Sequence, residues 1–119
     1  WIVLVNPRIN VSTGKIFQSL KETENKGLES FKGFKTSKDF IKYLLRQRND
    51  LQSVACEKYP EIKCVLDEIL ETKSNLLARM TGSGSTCFGL YSKMEDALRA
   101  QENMREKFKS WWVKYSKVF

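Results

Sequence analysis

The sequence predicts an α+β fold: a ferredoxin-like plait, with a four-stranded antiparallel sheet and helices packed mainly on one face. Three observations predict it. The apolar pattern runs strand, helices, strand, strand, helix, strand, and two helical crossovers around a central hairpin make the split βαβ arrangement. The central pair, "NLLARM" and "TCFGLYS", brackets a Gly-Ser-Gly turn. The length of 119 residues, 41% hydrophobic and 29% charged, suits one globular domain over 1–119 with a modest core.

Each element follows from local chemistry. "WIVLVNP" reads as a first strand stopped by Asn6-Pro7, since proline cannot donate to a ladder. Residues 8–16 read as irregular, with Ser12, Thr13 and Gly14 as turn formers. Residues 20–38, polar and carrying two glycines, read as a surface loop. Ser37 is placed to cap a helix over 39–47, in which Phe40, Ile41, Leu44 and Leu45 form one stripe. Asn49 or Asp50 is placed to cap the next helix. Val54, Ala55, Ile62, Val65, Leu66, Ile69 and Leu70 carry a helical period to residue 72, and Pro60 opens a fresh helix within it. After the hairpin, Met94, Ala97, Leu98, Met104 and Phe108 line a helix over 94–109. "WWVKYSKVF" closes the chain as a strand with Trp111, Val113 and Tyr115 on one face.

Composition removes several functions. With no histidine, histidine-based acid–base or triad chemistry is excluded within this chain. Three cysteines (Cys56, Cys64 and Cys87), an odd number without a Cys-x-x-Cys pair, speak against a disulfide framework or a zinc site. They fit small buried residues of a cytoplasmic, reducing compartment. No apolar run approaches the roughly 18 residues of a membrane span, so no membrane partner is expected. Asp67, Glu68 and Glu71 lie close along a helix and read as a solvated face rather than a metal pair. The net charge of +7 is uneven: ten basic and five acidic groups in residues 1–50, four and five in 51–92, seven and four in 93–119. The basic first part favours a phosphorylated ligand or nucleic acid, or is simply a solvated lysine-rich surface. Trp1, not Met, opens the chain on a strand, which fits a piece cut from something longer.

The turn at 82–84 lacks the Gly-Lys-Ser ending of a Walker loop, and no helix pattern comes directly after it. Its glycines permit positive φ, and successive amides in such a turn form an anion-binding nest, to which Ser83, Ser85 and Thr86 add hydroxyls. From the motif alone, a plain hairpin and a phosphate loop both stand.

Family resemblance bears on that choice. "RMTGSGSTCFGLYS" at 79–92 resembles the third conserved motif of the GHMP kinases, and within them the branch that phosphorylates 4-diphosphocytidyl-2-C-methyl-D-erythritol. "VSTGKIF" at 11–17, "NDLQSVACEKYPEIKCVLDEI" at 49–69 and the Trp111-Trp112 strand resemble further stretches of that branch. Thr81 and Ser85 stand where Ser and Ala are usual. The resemblance covers only the second half of a two-domain enzyme.

The resemblance implies a partner, an N-terminal ATP-binding domain carrying a lysine and an aspartate that assist transfer. It implies that ATP and Mg2+ are bound mainly there, and that no catalytic residue lies in this chain. It implies that Phe17 stacks on the cytosine of the substrate and that Thr13 lies near its methylerythritol end. Gly82, Ser83, Gly84 and Ser85 would then form a wall by the phosphates. The implied reaction is phosphorylation of the 2-hydroxyl in non-mevalonate isoprenoid synthesis, with the isolated chain inactive. Two alternatives remain: an RNA- or polyanion-binding plait, for which "KGF" at 32–34 is the one echo of an RNA-recognition signature, and an inactive remnant of a split gene.

Overall fold

The structure, a computed structural model, describes residues 1–118. Nine elements run in order: β1 (Ile2–Asn6), α1 (Thr13–Gln18), α2 (Ser37–Arg46), α3 (Gln52–Lys58), α4 (Pro60–Glu71), β2 (Leu77–Met80), β3 (Cys87–Leu90), α5 (Met94–Lys107) and β4 (Trp112–Ser116). The sheet order is β2-β3-β1-β4. Every neighbouring pair is antiparallel, which is the plait expected from the sequence.

Strand alternation divides the sheet into two faces. Val3, Val5, Met80, Cys87 and Val113 point into the main core, where they meet Ile62, Val65 and Ile69 of α4 and Ala97 and Met104 of α5. Ile62, Val65 and Ile69 are fully buried, and each contributes about 1.5–3 kcal/mol by leaving water. Pro60 occupies the first turn of α4, where its missing N–H costs nothing.

The second face carries Leu77, Arg79, Phe88, Leu90, Ile2 and Leu4. Here α2 lies across β2 and β3. The Arg79 guanidinium donates to the Leu44 carbonyl at 2.9 Å, and Phe40 and Ile41 share an open groove with Leu76 and Leu90. Leu77 and Leu90 are buried beneath it, whereas Ile2, Leu4 and Phe88 are half-buried.

Several local expectations are corrected. Residues 13–18 form a helix rather than an irregular turn: the Ser12 hydroxyl accepts from the Lys15 amide as its N-cap. α2 begins at Ser37 and is capped by Thr36, whose hydroxyl accepts from the Asp39 amide at 3.1 Å. Its buried residue is Tyr43, and Leu45 is 56% exposed. The reason is tertiary: the loop before α2 supplies Phe31 and Phe34, whose rings lie 5.1 and 5.2 Å from that of Tyr43. The N-cap position of α3 is Leu51, not Asn49 or Asp50. Trp111 precedes β4 and stacks on Phe108 at 3.7 Å. The end of the expected last strand, Phe119, lies outside the described residues. Among the described residues no helix is long and apolar enough to cross a membrane.

Candidate functional site

The hairpin between β2 and β3 turns through residues 81–86. The Thr81 amide donates to the Thr86 carbonyl at 2.9 Å, and the Gly84 amide to the Thr81 carbonyl at 3.0 Å, so the loop is a closed turn. Gly82 and Gly84 take φ of +50° and +93°. A Cβ at Gly84 would also stand 3.1 Å from both Ile62 Cδ1 and Met80 Sδ, which would have to give way. Both conformation and crowding favour glycine at this position.

Two asparagines hold the loop from different sides. Asn6, at the end of β1, donates from Nδ2 to Thr86 Oγ1 at 2.9 Å; its Oδ1 accepts from the Ser85 hydroxyl at 3.3 Å and from the Arg8 amide at 2.6 Å. Asn49, in the link between α2 and α3, donates from Nδ2 to the Met80 carbonyl at 2.9 Å and the Gly82 carbonyl at 2.8 Å. Its Oδ1 accepts from the Leu51 amide at 3.0 Å.

The structure brings α1 to this loop. Thr13 Oγ1 and Ser83 Oγ are hydrogen-bonded at 3.0 Å. Phe17, one turn further along α1, is 54% exposed, while Ile16 beside it is buried in the core. The start of α1 is anchored from below, since the Ser12 amide donates to the Tyr59 hydroxyl at 2.9 Å. Thr13, Phe17 and Ser83 therefore share one exposed rim, flanked in sequence by the exposed cations Arg8 and Lys15. Ser85 is placed differently: it is buried and turned inward onto Asn6. Among the described residues the amides of Gly82 and Ser83 find no protein acceptor. The loop's hydroxyls are paired within the protein, so what the turn offers an anion is its backbone amides, and it can do no proton transfer of its own.

The other titratable groups supply no nucleophile. Burial pushes the Cys87 thiol, directly behind the loop, up to about 12, and burial likewise raises Cys56 and Cys64. These thiols stay protonated at neutral pH. Asp67 pairs with Lys63, and Glu68 with Lys107 at 2.7 Å. Among the described residues no three Cys, Asp or Glu side chains group to hold a metal ion. An open groove of about 720 Å³ lies between the 19–25 segment and α3, but neither Thr13, Phe17 nor residues 82–85 line it. Phe34 of the "KGF" stretch stacks on Phe31 at 4.9 Å within a loop and stands on no strand.

Sequence reasoning does not mark Asn6 or Asn49 as site residues. Asn6 reads as a strand stop and Asn49 as a helix cap; the one available signal for Asn49 is its place at the head of the Asn-Asp-Leu stretch.

The family model described as GHMP kinases C terminal matches residues 30–110. The chain belongs to that family. The matched range includes the 81–86 loop and leaves Thr13 and Phe17 outside it. Relatives of this GHMP kinase domain extend the likeness to those residues. The 4-diphosphocytidyl-2-C-methyl-D-erythritol kinase of Dinoroseobacter shibae is 42% identical over 112 residues, which is 93% of this chain and 39% of that protein. The kinase of the same name from Wolbachia sp. subsp. Brugia malayi is 38% identical over 113 residues, 94% of this chain and 38% of its own. A crystal structure of 4-(cytidine 5'-diphospho)-2C-methyl-D-erythritol kinase superposes with a TM-score of 0.66 at 26% identity, covering 94% of this chain and 41% of that one. The chain thus spans about two fifths of the length of these relatives.

Proposed function

We propose that this GHMP kinase domain is the C-terminal, substrate-side part of an ATP-dependent kinase acting on the 2-hydroxyl of 4-diphosphocytidyl-2-C-methyl-D-erythritol. One observation carries the reading. The Thr13–Ser83 hydrogen bond joins the exposed aromatic of α1 to the glycine loop, so one rim offers both a stacking surface and an anion cradle. A diphosphocytidyl ligand has a base to stack and phosphates to hold. Phe17 supplies the stacking face, for which about 1–3 kcal/mol per base is typical. Thr13 offers its hydroxyl to the methylerythritol end. Gly82 and Ser83 offer amides to a phosphate, with Gly84 shaping the turn and Ser85 bracing it from within.

Phosphoryl transfer needs the γ-phosphate held in line, its charge neutralised by a metal and the hydroxyl oriented. This chain's part is binding and positioning. The residues that hold ATP and Mg2+ and orient the hydroxyl belong to the N-terminal partner domain. Two charge-assisted hydrogen bonds at about 1.5–3 kcal/mol each, set against the cost of association, leave ATP affinity no better than about millimolar for the domain alone.

Coupled ADP release tests the reading, with the 119-residue chain alone, the N-terminal part of the Dinoroseobacter shibae relative alone, and both mixed. The expected result is no turnover from either part and measurable turnover from the mixture. Turnover by the 119-residue chain alone would overturn it.

A further inference from the structure

β2 is an edge strand, so one side of its backbone has no sheet partner. An open edge of this kind must be satisfied or blunted. At Met80 the satisfaction comes from two side chains at the head of α3: the Met80 amide donates to Gln52 Oε1 at 2.9 Å, and the Met80 carbonyl accepts from Asn49 Nδ2 at 2.9 Å. Together they mimic a further strand at a single residue.

Asn49 does more than close the edge. Its Nδ2 also reaches the Gly82 carbonyl at 2.8 Å. The Met80–Thr81 and Gly82–Ser83 peptides are trans, so in each the carbonyl and the next amide point in opposite directions. Holding the Met80 carbonyl toward Asn49 therefore turns the Thr81 amide toward β3, where it donates to the Thr86 carbonyl at 2.9 Å. By the same rule, holding the Gly82 carbonyl toward Asn49 turns the Ser83 amide away from Asn49. Gly82 has φ of +50° with nothing within 4 Å of a Cβ position, so beyond the turn's own Gly84–Thr81 bond no packing at that position holds this peptide.

We infer that Asn49 is a positioning residue: it sets the orientation of the Gly82–Ser83 peptide and thereby aims the Ser83 amide at the bound anion. The inference rests on the phosphate-loop reading for its ligand, and on hydrogen-bond geometry alone for the orientation. Asn49 touches no ligand. It ties the link after α2 to the side of the hairpin opposite the Ser83 amide.

The test uses the 119-residue chain, ¹⁵N relaxation and titration with inorganic pyrophosphate. Asn49→Ala and Asn49→Asp are expected to lower the order parameter of the Ser83 amide and to weaken pyrophosphate binding about fivefold, the worth of one hydrogen bond. Asp keeps the acceptor for the Leu51 amide and loses both donors, which separates loop orientation from the start of α3. Gln52→Ala breaks the other half of the Met80 clasp, and is expected to lower the melting temperature while leaving the Ser83 amide and the affinity unchanged. An unchanged Ser83 order parameter in both Asn49 variants overturns the inference, as does an equal effect of Gln52→Ala on that amide. If the wild-type chain binds no pyrophosphate but its Ser83 amide loosens in the Asn49 variants, the phosphate reading falls and the positioning role stands.

Discussion

Gly84→Ala is the sharpest structural perturbation available at the loop. Two costs add there. At φ of +93° an L-residue is strained, at about 1–3 kcal/mol. The new methyl would also stand 3.1 Å from Ile62 Cδ1 and Met80 Sδ, and these side chains are 0% and 1% exposed, so neither can swing into solvent. Overpacking of this kind costs about 1–3 kcal/mol. The sum, about 2–6 kcal/mol, is a large share of the roughly 5–15 kcal/mol that holds a domain folded. At about 2.1 cal/mol/K of unfolding entropy per residue, 119 residues give about 4 °C per kcal/mol, hence a melting-temperature drop of about 8–24 °C. Gly82→Ala is the control. Its φ of +50° lies in the ordinary left-handed region and nothing stands within 4 Å, so about 1 kcal/mol and 4 °C are expected. Thermal melting followed by circular dichroism reads both. A Gly84→Ala melt within about 3 °C of wild type, or no lower than that of Gly82→Ala, would refute the reasoning. Gly84→Val, with two more methyls, is expected to abolish any turnover restored by the N-terminal partner.

Phe17 is 54% exposed, so Phe17→Ala should move the melting temperature little and raise the KM for the diphosphocytidyl substrate in the two-part enzyme about tenfold; an unchanged KM would make Phe17 a surface residue only. Burial holds the Cys87 thiol at about 12, so the folded chain keeps a proton that the unfolded chain releases. Its stabilisation is full below the unfolded pKa and is lost as pH rises from about 9 to 12, at about 1.4 kcal/mol per unit. Urea midpoints across that window should fall less steeply in Cys87→Ala, and an identical slope in both proteins would contradict the assignment. Arg79 secures α2 to the second face through the Leu44 carbonyl, and burial lowers its pKa. Arg79→Met keeps the stem and loses the bond, so amide exchange in α2 should quicken about fivefold while α4 is unaffected; equal quickening in both helices would mean the contact supports the whole fold.

Where structure obeys local chemistry, the sequence is enough to read it. Pro60 marks the start of α4, and Ile62, Val65 and Ile69 fall on the buried face that their spacing requires. The strand pairs around the hairpin follow from alternation, with Met80 and Cys87 opposed and both inside. The unread parts depend on distant partners. α1 is six residues long with Ile16 as its one buried residue, too short to show a period. Tyr43 rather than Leu45 is buried because Phe31 and Phe34 approach from a loop, and periodicity within α2 carries no record of that. Asn6 reaches Thr86 across 80 positions and Asn49 reaches Gly82 across 33. A side chain's partner at such separations is a property of the assembled sheet.

The long-range wiring bears on what this domain can contribute to a kinase. A glycine loop in solution samples many shapes, and ordering it at the moment of binding would consume much of the affinity gained from a few hydrogen bonds. Here Asn6 fixes the Ser85–Thr86 end, Asn49 fixes Met80 and Gly82, and Thr13 meets Ser83 between them. The loop is therefore ordered before any ligand arrives, by residues from β1, α1 and the link after α2. Preorganisation of this kind favours positioning, the larger part of phosphoryl-transfer catalysis. It also explains how a domain with no charged group at the loop can matter. On the proposed reading its amides would hold a phosphate in register, and the charge that the transferring group develops would be met from the opposing wall.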